Sequence, residues 1–316
     1  MRVLVTGATG FIGRVVVSRL MAAGMWVRTS SRSNDQNHFG EHVVADLEQP
    51  STLDSLTAGC DAVIHLAART HCVNSGQDEA NRYRSANVEA TSRLLDASLR
   101  TGVRRFVFIS SIKVNGESTE GRAPFTSDDP PNPQDWYGAT KLEAENLVRG
   151  ATRTTLMDHV VVRPPLVYGP GMLANLAALV RAIEYKMPLP LASIKNTRSL
   201  VSVQNLADFI ATVTSSQAAS ARTFLVSDGR DLSTPQLVRA IGNAIGVQPR
   251  LIPCPPTVLR AIGRVTGRAS MFERLCGSLQ VDISATKAAL RWSPPYTVDQ
   301  SMATIARRPA ALETRT

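Results

Sequence analysis

Short apolar runs alternate with helical patterns through the first half of the chain. Arg2–Thr6, Trp26–Thr29, Val43–Ala45, Ala62–Ala67, Phe106–Ser110 and His159–Arg163 read as strands. Between them, Phe11–Ala23 sets Ile12, Val15, Val16 and Leu20 at helical spacing and stops at Gly24. Asn81–Thr101 carries Leu94 and Leu95 and stops at Gly102, and Gly138–Arg149 carries Leu142, Ala144 and Leu147. Strands this apolar, joined by helices, predict an α/β fold: a doubly wound parallel sheet covered on both faces.

The second half is punctuated by proline, from Pro164 and Pro165 to Pro294 and Pro295. Leu200–Val203 and Thr223–Val226 still read as sheet material, with a helix Leu206–Thr214 between them. Short helices Pro235–Ile245, Thr257–Val265 and Ser284–Leu290 fill much of the rest. The expected organisation is a sheet domain over 1–165 plus about 200–228, with a smaller, discontinuous C-terminal lobe over about 166–199 and 229–316. The stretch after Arg307 is expected to be mobile.

Composition narrows the class of partner. Hydrophobic residues are 43% and charged residues 19%, an ordinary globular balance. Lys and Arg number 35 against 26 acids, a net charge of +9, which favours an anionic partner. The cations are scattered rather than blocked, so a phosphorylated small molecule is expected in preference to nucleic acid or a membrane surface. No apolar run approaches the roughly 18 residues of a membrane span, and Met1–Gly13 reads as strand and turn rather than as a signal peptide. Cys60, Cys72, Cys254 and Cys276 show no paired spacing, which fits a reducing, cytoplasmic setting. The histidines form no metal-binding pattern, so no metal is predicted.

The opening strand runs into Thr6-Gly7-Ala8-Thr9-Gly10-Phe11-Ile12-Gly13 and then a helix. Gly7 permits a tight turn, Gly10 lets backbone approach a pyrophosphate, and Gly13 lets helix and strand pack closely; the helix N-terminus offers N–H groups and partial positive charge. This strand–GxxGxxG–helix unit predicts a Rossmann-like dinucleotide site formed by Gly7, Thr9, Gly10, Phe11, Ile12 and Gly13. An acid at the end of the second strand would bind the ribose of NAD, but the chain reads Arg28-Thr29-Ser30-Ser31-Arg32. Ser31 and Arg32 suit a 2′-phosphate, so NADP(H) is expected in preference to NAD, which stays possible. Arg28 is a second candidate, with strand alternation directing it elsewhere. Asp46, followed by Leu47, is set to meet the adenine amine or to cap the next helix.

Tyr137 and Lys141 stand at i and i+4 of a predicted helix, and Tyr137 is the one tyrosine with lysine at that spacing. A neighbouring ammonium stabilises phenolate and suits the pair to proton transfer at a carbinol or ketone. Ser110 and Ser111 follow a strand at the carboxyl edge, where open α/β sheets bind ligands; Ser111 can donate to the same substrate oxygen, or the pair is turn chemistry.

These motifs in order, with His65-Leu66-Ala67-Ala68, Asn87 and Arg163-Pro164-Pro165-Leu166-Val167-Tyr168-Gly169-Pro170, resemble the extended short-chain dehydrogenase/reductases over nearly the whole chain. The nearest likeness is to the nucleotide-sugar branch, the NAD-dependent epimerases and dehydratases. The resemblance implies Tyr137 as acid/base and Lys141 as its partner and ribose contact. It implies Ser111 polarising the substrate oxygen and Asn87 holding the site's backbone or relaying protons. Leu66, Ala67, Ala68 and Pro164 would line the cofactor channel, and Asn175, Arg198 and Arg274 would hold the phosphates of a UDP-linked sugar. It further implies a homodimer through the helices Asn81–Thr101 and Gly138–Arg149. Leu166 departs from the asparagine of many relatives, which removes one polar contact. Within the branch the second half most resembles the UDP-N-acetylquinovosamine-forming 4-keto reductases. That implies NADPH-driven reduction at C4 of a UDP-4-keto-6-deoxy-hexose. A UDP-glucose 4-epimerase with trapped NAD is the alternative, a dehydratase is disfavoured by Ile112 and Lys113, and a non-catalytic NADP sensor or nucleic-acid binder is disfavoured by the Tyr/Lys pair.

Overall fold

The computed structural model describes residues 1–32, 40–70, 77–172, 174–267 and 269–305, without the side chains of 77, 174, 175 and 270. Cys72 and the stretch after Arg307 therefore lie outside the described residues. The first half folds as β1 (Arg2–Thr6), α1 (Phe11–Ala22), β2 (Trp26–Ser31), β3 (Glu41–Val44), α2 (Leu53–Thr57), β4 (Ala62–His65), α3 (Gln77–Arg84), α4 (Ala90–Arg100), β5 (Arg105–Ile109), α5 (Trp136–Thr152) and β6 (Asp158–Arg163). The second half adds β7 (Leu166–Tyr168), α6 (Ala174–Glu184), β8 (Leu200–Ser202), α7 (Val203–Ser215), β9 (Arg222–Leu225), α8 (Thr234–Ile245), α9 (Pro256–Val265), α10 (Ala269–Cys276), α11 (Ser284–Leu290) and α12 (Val298–Ala303).

Seven strands form one parallel sheet in the order β3-β2-β1-β4-β5-β6-β9. Side-chain alternation splits its residues between two cores, because successive Cβ atoms point to opposite faces. Val3, Val5, Ile64, Val107, Val160 and Val162 pack on one face with α1 and α7. Leu4, Val63, Phe106, Phe108 and Val161 pack on the other with residues of α2, α4 and α5. Strand order reverses between β1 and β4, where Thr6 pairs with His65. The carboxyl ends of these two strands open the crevice in which such sheets bind ligands.

The remaining residues build outward from that edge. β7 and β8 pair with each other in a separate two-stranded sheet, so of the stretch 200–228 it is α7 and β9 that pack on the main sheet. A third core gathers Tyr168, Ile183, Leu200, Val238, Ile241 and Leu259. A smaller cluster, Ile112, Phe125, Leu225, Leu279, Val281 and Ile283, ties this lobe to the ends of β5 and β9.

The helix expected over Asn81–Thr101 is interrupted. α3 and α4 are separated by a π-helical turn, Ser85–Glu89, that carries buried Asn87. π-bulges of this kind recur at functional sites because the extra residue re-aims a side chain.

Candidate active site

The glycine-rich turn is shaped by contact. Gly7 adopts φ +69°, and a Cβ there would meet the backbone N of Ala67 at 2.8 Å. The β4 exit thus lies directly against the turn, an approach open to glycine alone. Gly10 is the N-cap of α1; no side chain caps this terminus and its first turn carries no acid, so its N–H groups remain for an anion. Arg14 Nε donates to the Thr9 carbonyl at 2.8 Å and braces the loop. Ile12 packs on the first core and Phe11 on the third, and Gly13 is buried in the first helical turn. This cradle fits a dinucleotide pyrophosphate.

The adenosine end is set by β2 and β3. Arg28 turns inward: its guanidinium pairs with Glu41 at 3.0 Å and donates to the Leu56 and Ala58 carbonyls, so it braces the end of α2. These contacts, rather than strand alternation, commit it to bracing the fold. Ser31 ends β2 with its hydroxyl 3.2 Å from His42 Nε2, and Arg32 follows, exposed. Asp46 accepts the Glu48 N–H at 3.0 Å, the local capping turn, and Leu47 packs against the second core. Leu66, Ala67 and Ala68 are half-buried at the end of β4, and buried Pro164 accepts the Ile112 N–H at 3.0 Å.

Ser111 and Tyr137 are brought together by a close helix approach. Asp135 caps α5 by accepting the Gly138 N–H at 2.7 Å, and its other oxygen takes the Lys113 ammonium. A Cβ on Gly138 would lie 2.8 Å from the Lys113 carbonyl, so this glycine lets the turn after Ser111 press onto α5. Burial pushes the Tyr137 phenol well above its usual value, the Asp135 carboxylate pushes the same way, and the hydrogen-bonded Ser111 hydroxyl pulls it down. Lys141 is buried one turn on, its Nζ 4.1 Å from the centroid of Phe108, and burial pushes it down to about 7, against the pull of Glu145. The direction at Tyr137 is therefore the reverse of what a paired ammonium alone would produce: removal from water and the Asp135 charge set it.

Lys141 has a folded value near 7 against 10.5 for ordinary lysine, so its burial costs most below that value and fades as pH rises toward 10.5. Lys141→Met is expected to stabilise the cofactor-free protein at pH 7 by on the order of 2 kcal/mol while impairing turnover. Thermal unfolding at pH 7 and 10 checks this; the gap between variant and parent should narrow at the higher pH.

Asn87 is fully occupied. Its Oδ1 accepts the Arg69 N–H at 2.8 Å, and its Nδ2 donates to the Arg69 carbonyl and to Thr140 Oγ1, both at 3.1 Å. It clamps the β4 exit to the first turns of α5. Arg69, paired with Glu79 at 2.9 Å, and Tyr83, whose ring lies 6.4 Å from that of Tyr137, line the same region and had no marker in the sequence.

In the second lobe Arg198 Nη1 donates to the carbonyls of Arg274 and Gly277, both at 2.9 Å. Burial lowers its pKa, opposed by Glu117, and the nearby Arg274 guanidinium lowers it further. The two arginines are thus neighbours, Arg274 exposed, and the pair suits a diphosphate. Asn175 lies in α6 and its side chain is outside those described. Leu166 is exposed at the start of β7.

A model of the NAD dependent epimerase/dehydratase family matches residues 3–226. A UDP-glucose 4-epimerase of Vibrio cholerae is 38% identical over 302 residues, covering 94% of this chain and 92% of its own. Among solved structures, the UDP-N-acetylglucosamine 4-epimerase from Bacillus cereus superposes with TM-score 0.80 at 23% identity, covering 97% of this chain and 98% of its own. The UDP-glucose 4-epimerase from Thermotoga maritima, solved with UDP-glucose, superposes with TM-score 0.79 at 21% identity and the same coverage. At those identities the likeness is one of fold. The parallel sheet, the glycine-rich turn and the extent of the family match identify this chain as a member of the NAD dependent epimerase/dehydratase family.

Proposed function

We propose that the protein exchanges hydride at C4 of a UDP-linked hexose, running as net reduction of a 4-keto-6-deoxy sugar with NADPH. One observation carries the cofactor and the direction: β2 ends in Ser31 and exposed Arg32, with no carboxylate along the strand. A guanidinium there favours a 2′-phosphate, and a cofactor consumed and released fits a reductase better than an enzyme that retains one dinucleotide.

The dinucleotide, when bound, supplies the hydride carrier. The uncapped N-terminus of α1 binds its pyrophosphate, and Lys141 holds its ribose. The Tyr137 phenol, held protonated by its surroundings, delivers its proton to the C4 oxygen. The Ser111 hydroxyl donates to that oxygen as negative charge develops. Asn87 keeps the β4 exit and α5 at a set separation, and Arg198 with Arg274 holds the UDP diphosphate.

A second reading, a UDP-sugar 4-epimerase with tightly held NAD, is favoured by the Vibrio cholerae relative. Denaturing the purified protein and identifying any released nucleotide separates the two: stoichiometric NAD sinks the reductase, whereas NADPH oxidation by a UDP-4-keto sugar supports it. Arg32→Ala should raise KM for NADPH about tenfold or more, the loss of one charged phosphate contact, and leave KM for NADH within about twofold. Equal effects on both cofactors would remove the basis for NADP preference.

A further inference from the structure

His65 ends β4 fully buried, and neither the hydride step nor the phosphate sites use it. Its ring lies 5.9 Å from that of Phe108, whose centroid is 4.1 Å from Lys141 Nζ. Both ring nitrogens are engaged: Nδ1 is 2.7 Å from Thr6 Oγ1 and Nε2 is 3.0 Å from Thr91 Oγ1. Each hydroxyl has a second contact. The Ala67 N–H donates to Thr6 Oγ1 at 3.4 Å, and Thr91 Oγ1 donates to the Asn87 carbonyl at 2.7 Å.

Donor counting assigns the proton on the ring. Thr91 gives its only hydrogen to Asn87, so it must accept from Nε2–H. Thr6 then gives its hydrogen to bare Nδ1 while accepting from Ala67. The opposite tautomer would leave the buried Thr6 hydrogen without an acceptor and cost the Thr91–Asn87 bond. Burial, with Lys141 nearby, holds the ring neutral, its pKa down to about 3.

The chain therefore has one direction: Ala67 N–H to Thr6, to His65, to Thr91, to the Asn87 carbonyl. That acceptor is the main-chain carbonyl; the side-chain Nδ2 of the same residue donates to Thr140, whose hydroxyl is 2.8 Å from the Trp136 carbonyl and 3.1 Å from that of Tyr137, so Asn87 itself links the two stretches. One end lies against the Gly7 turn, because the Ala67 nitrogen is the atom a Gly7 Cβ would strike. The other end is the first turn of α5.

We infer that His65 is a positioning residue that couples the dinucleotide turn to the helix carrying Tyr137, through a hydrogen-bonded route crossing β1, β4, the first turn of α4, the π-helical turn and α5. Asn87 already ties Arg69 to Thr140 directly, and the His65 route adds a second tie that runs from the Gly7 turn through the sheet's switch point to Asn87. The coupling rests on the proposed dinucleotide site and on Tyr137 as the reacting phenol.

Three variants of the full chain test it: His65→Phe removes both bonds and keeps a ring, His65→Asn keeps an acceptor for Thr6 only, and Thr91→Val breaks the far half only. Dissociation constants for NADP and NADPH are measured by fluorescence, and amide exchange is followed over 66–69 and 136–141. His65→Phe should weaken dinucleotide binding about tenfold and speed exchange in both segments, an effect typical of coupled sites. His65→Asn and Thr91→Val should bind within about threefold of the parent, since the near half persists, and speed exchange over 136–141 alone. A uniform loss of thermal stability with parental binding and exchange pattern in folded variants would overturn the coupling. If His65→Phe fails to fold, parental exchange over 136–141 in the other two overturns it equally. A parent that binds neither NADP(H) nor NAD(H), and carries none through purification, refutes the cofactor site itself, an outcome distinct from failure of the coupling.

Discussion

Tyr137→Phe is expected to lower kcat by about 10²–10⁴-fold, the usual contribution of a positioned proton donor, with dinucleotide affinity within about twofold of the parent. The ring of Phe fills the same half-buried space beside Tyr83, so the fold loses one hydroxyl and little packing. Ser111 keeps its position because the Lys113 carbonyl stays pressed on Gly138 and Asp135 still caps α5. Only the transferable proton is removed, so kcat and kcat/KM should fall together, the signature of an interaction made in the transition state. Near-parental turnover on a competent substrate would mean that another group protonates the C4 oxygen. Steady-state kinetics with a UDP-4-keto sugar, beside a dinucleotide titration, decides the matter.

Glu145→Ala is expected to destabilise the protein by about 3–5 kcal/mol, the cost of stranding a buried charge. Glu145 is fully buried; it accepts from Arg163 Nε at 2.8 Å and Nη2 at 2.6 Å, from Ser110 Oγ at 2.5 Å and from Arg149 Nη2 at 2.9 Å. Arg163 also donates to Asn115 Oδ1 at 2.9 Å. Removing the carboxylate leaves the Arg163 guanidinium with Asn115 alone in the interior. Burial raises the Glu145 pKa, but the Arg163 bonds and charge, Ser110 and Arg149 outweigh it, and the carboxyl sits below its ordinary 4.5. The linkage sign follows: its stabilisation is complete above 4.5 and is lost as pH falls through the folded value. Urea unfolding at pH 7 and at pH 4 measures both effects, and the variant should lose less stability on acidification than the parent. The network grips Ser110, next to Ser111, so a folded variant should also show a reduced kcat.

The sheet was legible because its strands are apolar almost throughout: Arg2–Thr6 needed no tertiary knowledge to place. β7 and α6, between Pro165 and Pro188, escaped notice because proline spacing dominates the pattern there. The π-helical turn leaves no periodic trace, since the stretch 77–89 holds too few apolar residues to mark a shift of the helical face. The Tyr137 and Lys141 pair showed as a spacing, yet its electrostatics depend on burial, which spacing does not carry. Glu145 stands one turn beyond Lys141, but its partners come from β6 and from the end of β5, a juxtaposition only the folded chain supplies. Alternation alone would set Arg28 on the same face as Arg32, four residues on; its contacts to Glu41 and to the Leu56 and Ala58 carbonyls, which only the folded chain supplies, set it apart.

The cluster of Ile112, Phe125 and Leu225 with Leu279, Val281 and Ile283 has an evolutionary consequence. Side chains from widely separated stretches of the chain pack together there, so drift in the C-terminal lobe near it disturbs the main sheet. Sequence variation is freest where that coupling is smallest, on the outer face of the α9–α10 pair, where Val258, Ile262 and Val265 face solvent. Changes should accumulate on that outer rim while the shared interior stays as it is.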